Sequence, residues 1–119
     1  MIKMIFSDMD GTLLDGRGQV PEGFDALAAE LAARGVRFAP ASGRQYFSLA
    51  ESFPRYEDEF LFLAENGTNV VYRGETLFTW PMEQAAAHAI LEEVYAADLG
   101  VFCVVCGLRA AYGLASQRR

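Results

Sequence analysis

The stretch Met1-Ile2-Lys3-Met4-Ile5-Phe6-Ser7-Asp8-Met9-Asp10-Gly11-Thr12-Leu13-Leu14 decides the fold. Its first six residues are apolar apart from Lys3, which is the pattern of a strand buried on both faces of a parallel sheet. Two carboxylates then follow at once, Asp8 and Asp10, with Gly11 and Thr12 behind them. A buried strand that delivers acidic residues at its carboxyl end is a frequent arrangement in α/β proteins, where ligands bind outside the strand ends.

Working outward, a polar, glycine-bearing loop spans Asp15 to Gln19, and Pro21 is predicted to open a helix, where its missing N–H costs little. Phe24, Leu27, Ala28 and Leu31 fall on one face of that helix, and Gly35 is placed to end it. Val36 to Ala39 reads as a second strand with Pro40 at its end. Ser42-Gly43-Arg44 leads into a short helix through Phe53, and Phe60 to Ala64 reads as a third strand. Glu65-Asn66-Gly67 marks a turn. Asn69–Tyr72 and Glu75–Trp80 flank Arg73-Gly74 as a hairpin. Met82 to Leu99 reads as a helix with Leu91, Val94 and Tyr95 on its apolar stripe. Val101–Val105 and Arg109–Tyr112 suggest a second hairpin, and residues 115–119 carry no pattern. Strand and helix alternation of this kind predicts an α/β fold with right-handed crossovers.

The topology brings three polar clusters to one rim: Asp8 and Asp10 after the first strand, Ser42, Gly43 and Arg44 after the second, and Asn66 after the third. On an extended backbone, residues two apart point the same way, so Asp8 and Asp10 would repel unless a cation or a shared proton relieves them. A hard dication such as Mg²⁺ takes oxygen ligands and leaves room for substrate phosphate. A carboxylate can also act as a nucleophile and form an acyl-phosphate, while its neighbour moves a proton to the leaving oxygen and later takes one from water. Gly11 would let the backbone approach a ligand, and Thr12 offers a hydroxyl. Ser42-Gly43 supplies a hydroxyl and a backbone N–H before a helix, a natural phosphate seat. No Gly-Lys-Ser/Thr occurs, and the run from Gly16 to Pro21 lacks the last glycine of a dinucleotide fingerprint.

Plainer readings stand beside these. Ser42 also suits a helix cap, Asn66-Gly67 a simple turn, and Arg44 a surface charge. Glu65 reads as a solvated loop charge and His88 as a packing or surface residue. Cys103 and Cys106 read as core residues of a strand, with no second cysteine pair to complete a metal site.

Composition bounds the rest. The 119 residues suit one small globular domain, and 52% are hydrophobic. The net charge of −6 argues against a nucleic-acid or anionic-membrane partner. No run reaches the ~20 apolar residues of a membrane span, and the short N-terminal apolar run does not suit a signal peptide. A cytoplasmic location is the expectation.

The segments Asp8-Met9-Asp10-Gly11-Thr12-Leu13-Leu14, Ala41-Ser42-Gly43-Arg44-Gln45-Tyr46 and Ala64-Glu65-Asn66-Gly67 together resemble the haloacid dehalogenase superfamily, and within it the Cof-type, sugar-phosphatase-like hydrolases. The resemblance implies a Rossmann-like parallel sheet, with residues 1–81 forming the first half of the core and residues 82–119 beginning an α+β cap. It implies a Mg²⁺-dependent phosphatase of small phosphorylated metabolites such as sugar phosphates. Asp8 would be the phosphorylated nucleophile and a metal ligand. Asp10 would be the general acid/base, holding the metal through its carbonyl. Met9, Gly11, Thr12, Ser42, Gly43, Arg44 and Asn66 would bind phosphate or substrate.

Members of that family carry, after the cap, a lysine that steadies the aspartyl-phosphate and a Gly-Asp-x-x-x-Asp loop that completes the metal site. Here Lys3 is the only lysine, and Asp98-Leu99-Gly100 fits no such loop. The expectation is therefore a truncated member with weak or no turnover, its first strand left as a sheet edge. The alternative is a non-catalytic fragment that pairs this open edge with a partner or a second copy.

Overall fold

The computed structural model describes residues 1–113; residues 114–119, which include the patternless 115–119, lie outside the described residues. Two compact units divide the chain, Met1–Trp80 and a second that begins at Pro81.

The first unit is built on a five-stranded sheet in the order β1-β2-β3-β4-β5. Its strands are β1 (Met4–Asp8), β2 (Arg37–Ala41), β3 (Leu61–Ala64), β4 (Asn69–Tyr72) and β5 (Glu75–Thr79). The first three run parallel and the last two antiparallel, so the sheet is mixed. Helices α1 (Phe24–Ala33) and α2 (Tyr46–Ala50) cross between the parallel strands. Among the described residues β1 pairs only with β2, so the strand carrying Asp8 is an edge, as the sequence led us to expect.

The core is aromatic. Phe24 of α1 meets Phe38 edge-on at 5.3 Å, and Phe53 and Phe60 close the cluster, with Tyr56 stacked on Phe60 at 4.5 Å. Phe62, Leu49 and Met9 are fully buried around it. The opposite face of β1 is open, and Phe6 is 57% exposed there.

Several local expectations are corrected. Strand β1 starts at Met4 and takes in Asp8. Pro21 does not open α1: Gly23 adopts φ 85, a left-handed geometry that only glycine takes freely, and the helix starts at Phe24. On α1 the buried stripe is Phe24 and Ala28 with Leu31 beside them, while Leu27 is exposed. Gly35 does end the helix, at φ 68, with Gly35 N–H on the Ala32 carbonyl and Val36 N–H on that of Leu31. This is the paired bonding of a glycine-terminated helix.

Pro40 lies inside β2 instead of ending it. The N–H groups of Arg37 and Ser42 point to opposite neighbours, toward Lys3 and Leu63 respectively. By that alternation position 40 faces β3, and proline has no N–H to give. The β2–β3 register is accordingly reduced to Ala41 against Leu63. The Arg73-Gly74 hairpin forms as expected, with both turn residues at positive φ, 52 and 71, between paired Tyr72 and Glu75.

The second unit holds α3 (Gln84–Ala96) and a short antiparallel pair, β6 (Val105–Cys106) with β7 (Ala111–Tyr112). Leu91, Val94 and Tyr95 form the half-covered stripe of α3. The core reading of the cysteines is overturned: Cys106 is exposed, Cys103 is half-buried, and only Cys106 lies in a strand. No described helix is long and apolar enough to cross a membrane.

Candidate active site

The site starts from the end of β1. Met9 takes its side chain into the core and is fully buried, whereas Asp8 and Asp10 on either side are exposed. An apolar residue between two carboxylates therefore anchors the loop and displays both acids. The side chain of Met9, one of the expected binding residues, is committed to packing. Its carbonyl accepts the Leu14 N–H at 2.9 Å, closing a wide single turn over Met9–Leu13. Asp8 and Asp10 both have extended dihedral angles, and the chain takes its left-handed turn at Gly11, φ 77.

The two carboxylates have different partners. Thr12 donates its hydroxyl to Asp8 Oδ2 at 3.4 Å. Arg44 donates Nε–H to Asp10 Oδ2 at 3.1 Å and Nη2–H to Asp10 Oδ1 at 2.5 Å. Gly11 sits at φ 77, and a Cβ there would meet nothing within 4 Å. The left-handed φ accounts for glycine at this turn, and the space beside its α-carbon is open.

The second and third strand ends are laced together. Ser42 is buried, donates its N–H to the Leu63 carbonyl at 2.9 Å, and accepts the Asn66 N–H on its own carbonyl at 3.0 Å. Its hydroxyl accepts the Arg44 N–H at 3.2 Å. The Arg44 carbonyl accepts the Glu65 N–H at 2.9 Å. Helix α2 begins only at Tyr46, so Ser42 and Gly43 stand in the loop before it. A Cβ on Gly43 would lie 3.3 Å from Asn66 Oδ1, so here glycine does serve a close approach. Asp10, Arg44, Ser42, Gly43 and Asn66 thus form one connected rim, with Asp8 and Thr12 beside Asp10 in the first loop.

Glu65 reads from the sequence as a solvated charge. Its backbone joins the rim, and Glu65, Asn66 and Gly67 all have positive φ, at 52, 57 and 87. The Asn-Gly pair was the available signal for that turn. Tyr46 lies next to the rim. Its hydroxyl donates to Glu57 Oε1 at 3.1 Å, and burial followed by this acidic partner pushes its pKa up to about 12. An open crevice lined by Val20, Phe24, Phe53 and Tyr56 contains none of the expected site residues. Asp25 spans it, accepting from Arg55 at 2.9 Å and from the Tyr56 hydroxyl at 2.6 Å, and this second bond raises the Tyr56 pKa.

The donor chemistry suits a hard dication in kind. The Asp8 carboxylate and the Asp10 carbonyl are oxygen donors, while the Asp10 carboxylate is taken by Arg44. Among the described residues no cluster of three or more Asp, Glu, His or Cys side chains forms a ready-made metal cage.

The profile of the haloacid dehalogenase-like hydrolases matches residues 5–118. The chain is 38% identical over 114 residues to the 5-amino-6-(5-phospho-D-ribitylamino)uracil phosphatase YbjI of Escherichia coli, covering 95% of this chain and 42% of that protein. It is 33% identical over 98 residues to the HMP-PP phosphatase of Cronobacter sakazakii, covering 80% of this chain and 36% of that one. Among solved structures, SMU.1108c of Streptococcus mutans superposes with a TM-score of 0.86 at 26% identity, over 95% of this chain and 43% of that one. The chain therefore spans about two fifths of the length of the proteins it matches.

Proposed function

Because the chain belongs to the haloacid dehalogenase-like hydrolase family, we propose that it carries the nucleophile half of a Mg²⁺-dependent phosphomonoesterase site, acting on small phosphorylated metabolites of the sugar-phosphate class. The observation that carries the reading is Asp8, exposed at the carboxyl end of β1 with the Thr12 hydroxyl on its carboxylate and Asp10 in the same turn. The phosphatase names of the Escherichia coli and Cronobacter sakazakii relatives support the reaction class. On this reading Met1–Trp80 is the first half of the catalytic core and the unit from Pro81 begins the cap.

The chemistry follows from the residue types. An Asp8 carboxylate oxygen attacks phosphorus, the ester P–O bond breaks, and the leaving oxygen takes a proton from Asp10. Water then attacks the aspartyl-phosphate and gives a proton back to Asp10, which releases inorganic phosphate and restores both carboxyl groups. Ser42 and the backbone around Gly43 seat the phosphate oxygens, and Thr12 holds the Asp8 carboxylate in place. Mg²⁺, bound by the Asp8 carboxylate and the Asp10 carbonyl with waters completing its shell, would neutralise charge on the phosphate.

The test is phosphate release from an aryl phosphate with Mg²⁺, compared with EDTA-treated protein and with Asp8→Asn. Weak release that needs both the metal and Asp8 is the expected result, because the lysine and the second acidic loop of the family pattern do not occur in this sequence. Equal release by Asp8→Asn would overturn the reading.

A second reading, self-association of copies through β1, draws on the edge of that strand, unpaired among the described residues, and on the exposed Phe6. Size-exclusion chromatography distinguishes it: a dimer that dissociates on Phe6→Lys supports it, and a monomer at all concentrations rejects it.

A further inference from the structure

We infer that Arg44 is a positioning residue that fixes the Asp10 carboxylate, and not a ligand of the substrate phosphate. The inference rests on the reading of Asp10 as the proton-transferring group.

Arg44 is held at both its backbone and its guanidinium. Its N–H is on the Ser42 hydroxyl and its carbonyl accepts from Glu65, so its backbone is fixed between two strand-end loops. Its guanidinium then forms a two-pronged bond to Asp10, 34 residues away in sequence. The other ion pairs among the described residues use arginine side chains that are 89%, 70% and 79% exposed, whereas that of Arg44 is 32% exposed. A half-buried, backbone-anchored guanidinium is preorganised, and its planar fork sets the orientation of the carboxylate as well as its place.

That orientation is what a proton-transferring carboxyl needs. Asp10 itself is 63% exposed and has little packing to restrain it. Each carboxylate oxygen has a second lone pair, so the fork leaves one on each oxygen for the proton. The fork commits Nε–H and one Nη2–H of the guanidinium to Asp10. A lysine at position 44 would keep the charge and lose the fork.

The test uses Arg44→Gln, Arg44→Lys, Asp10→Asn and the Asp10→Asn/Arg44→Gln double variant, with an aryl phosphate and Mg²⁺. Arg44→Gln should lower kcat at least about tenfold, a fraction of the roughly 10²–10⁴ that general acid–base catalysis supplies, with KM little changed. Arg44→Lys should resemble Arg44→Gln, and Arg44→Gln should cost little further in the Asp10→Asn background. In parallel, NMR should find the Arg44 Nε–H slow to exchange with water in the wild type and fast in Asp10→Asn. A raised KM with unchanged kcat would make Arg44 a substrate ligand and overturn the inference. So would fully multiplicative effects of the two substitutions, or an exchange rate indifferent to Asp10→Asn. Where the wild-type protein shows no measurable turnover, the exchange comparison alone decides the positioning claim: an exchange rate that rises in Asp10→Asn supports it and an indifferent one overturns it.

Discussion

The α-carbon of Gly43 lies against the side-chain amide of Asn66, so close that a Cβ at position 43 would stand 3.3 Å from Asn66 Oδ1. This contact, with the Asn66 N–H on the Ser42 carbonyl, sets how the second and third strand ends meet. Gly43→Ala should displace Asn66 by a few tenths of an ångström. Because Asn66 is exposed, the change in unfolding free energy should stay within about 1 kcal/mol. Urea unfolding together with the NMR shift of the Asn66 side-chain amide checks this. An unmoved amide signal would contradict the contact.

The aromatic core should dominate stability. Phe53 is 2% exposed and packs against Phe24, Phe38, Phe60 and Phe62. Phe53→Ala should cost about 3–5 kcal/mol, a large share of the roughly 5–15 kcal/mol that holds a domain folded. Phe6→Ala, at a position 57% exposed on the open face of β1, should cost less than about 1 kcal/mol. Urea midpoints of the two variants test the contrast, and equal losses would place the core wrongly.

Tyr46 should make stability fall at high pH. Its pKa rises from 10.0 to about 12 on folding, through burial and its bond to Glu57. The folded state therefore holds the phenolic proton more tightly than the unfolded chain does. That contribution is complete below pH 10 and is lost as pH climbs from 10 through 12. Wild type should lose stability faster than Tyr46→Phe across this window. Parallel curves for the two proteins would contradict the Tyr46–Glu57 account.

Much of this was legible in the sequence where one local rule acted without competition. Arg73-Gly74 between two alternating segments gave a hairpin, and Gly35 after an apolar-periodic run gave a helix end. Where two rules met, the sequence did not say which would win. Pro21 suits a first helical turn, but Gly23 took the left-handed position and moved the start to Phe24. Pro40 suits a strand end, but β2 keeps it and loses bonding to β3 instead. Apolar neighbours suggested a buried strand around Cys103, yet the second unit leaves Val101, Phe102 and Val104 exposed.

For the site, strand order alone was enough to bring the loops at Asp8, Ser42 and Asn66 to one rim. Side-chain pairing within the rim was not legible. Nothing local links Arg44 to Asp10 across 34 residues, and the use of Glu65 is a backbone bond that residue type does not reveal.

Asp8 is the group proposed to carry the phosphoryl group. Incubating the protein with an aryl phosphate and Mg²⁺, quenching with borohydride and sequencing the Asp8 peptide by mass spectrometry tests this directly, because borohydride reduces an aspartyl-phosphate to homoserine. Homoserine at position 8 and at no other aspartate, absent when substrate is omitted, is the predicted result. Phosphate release without that conversion, conversion at Asp10 instead, or no conversion at all would contradict it.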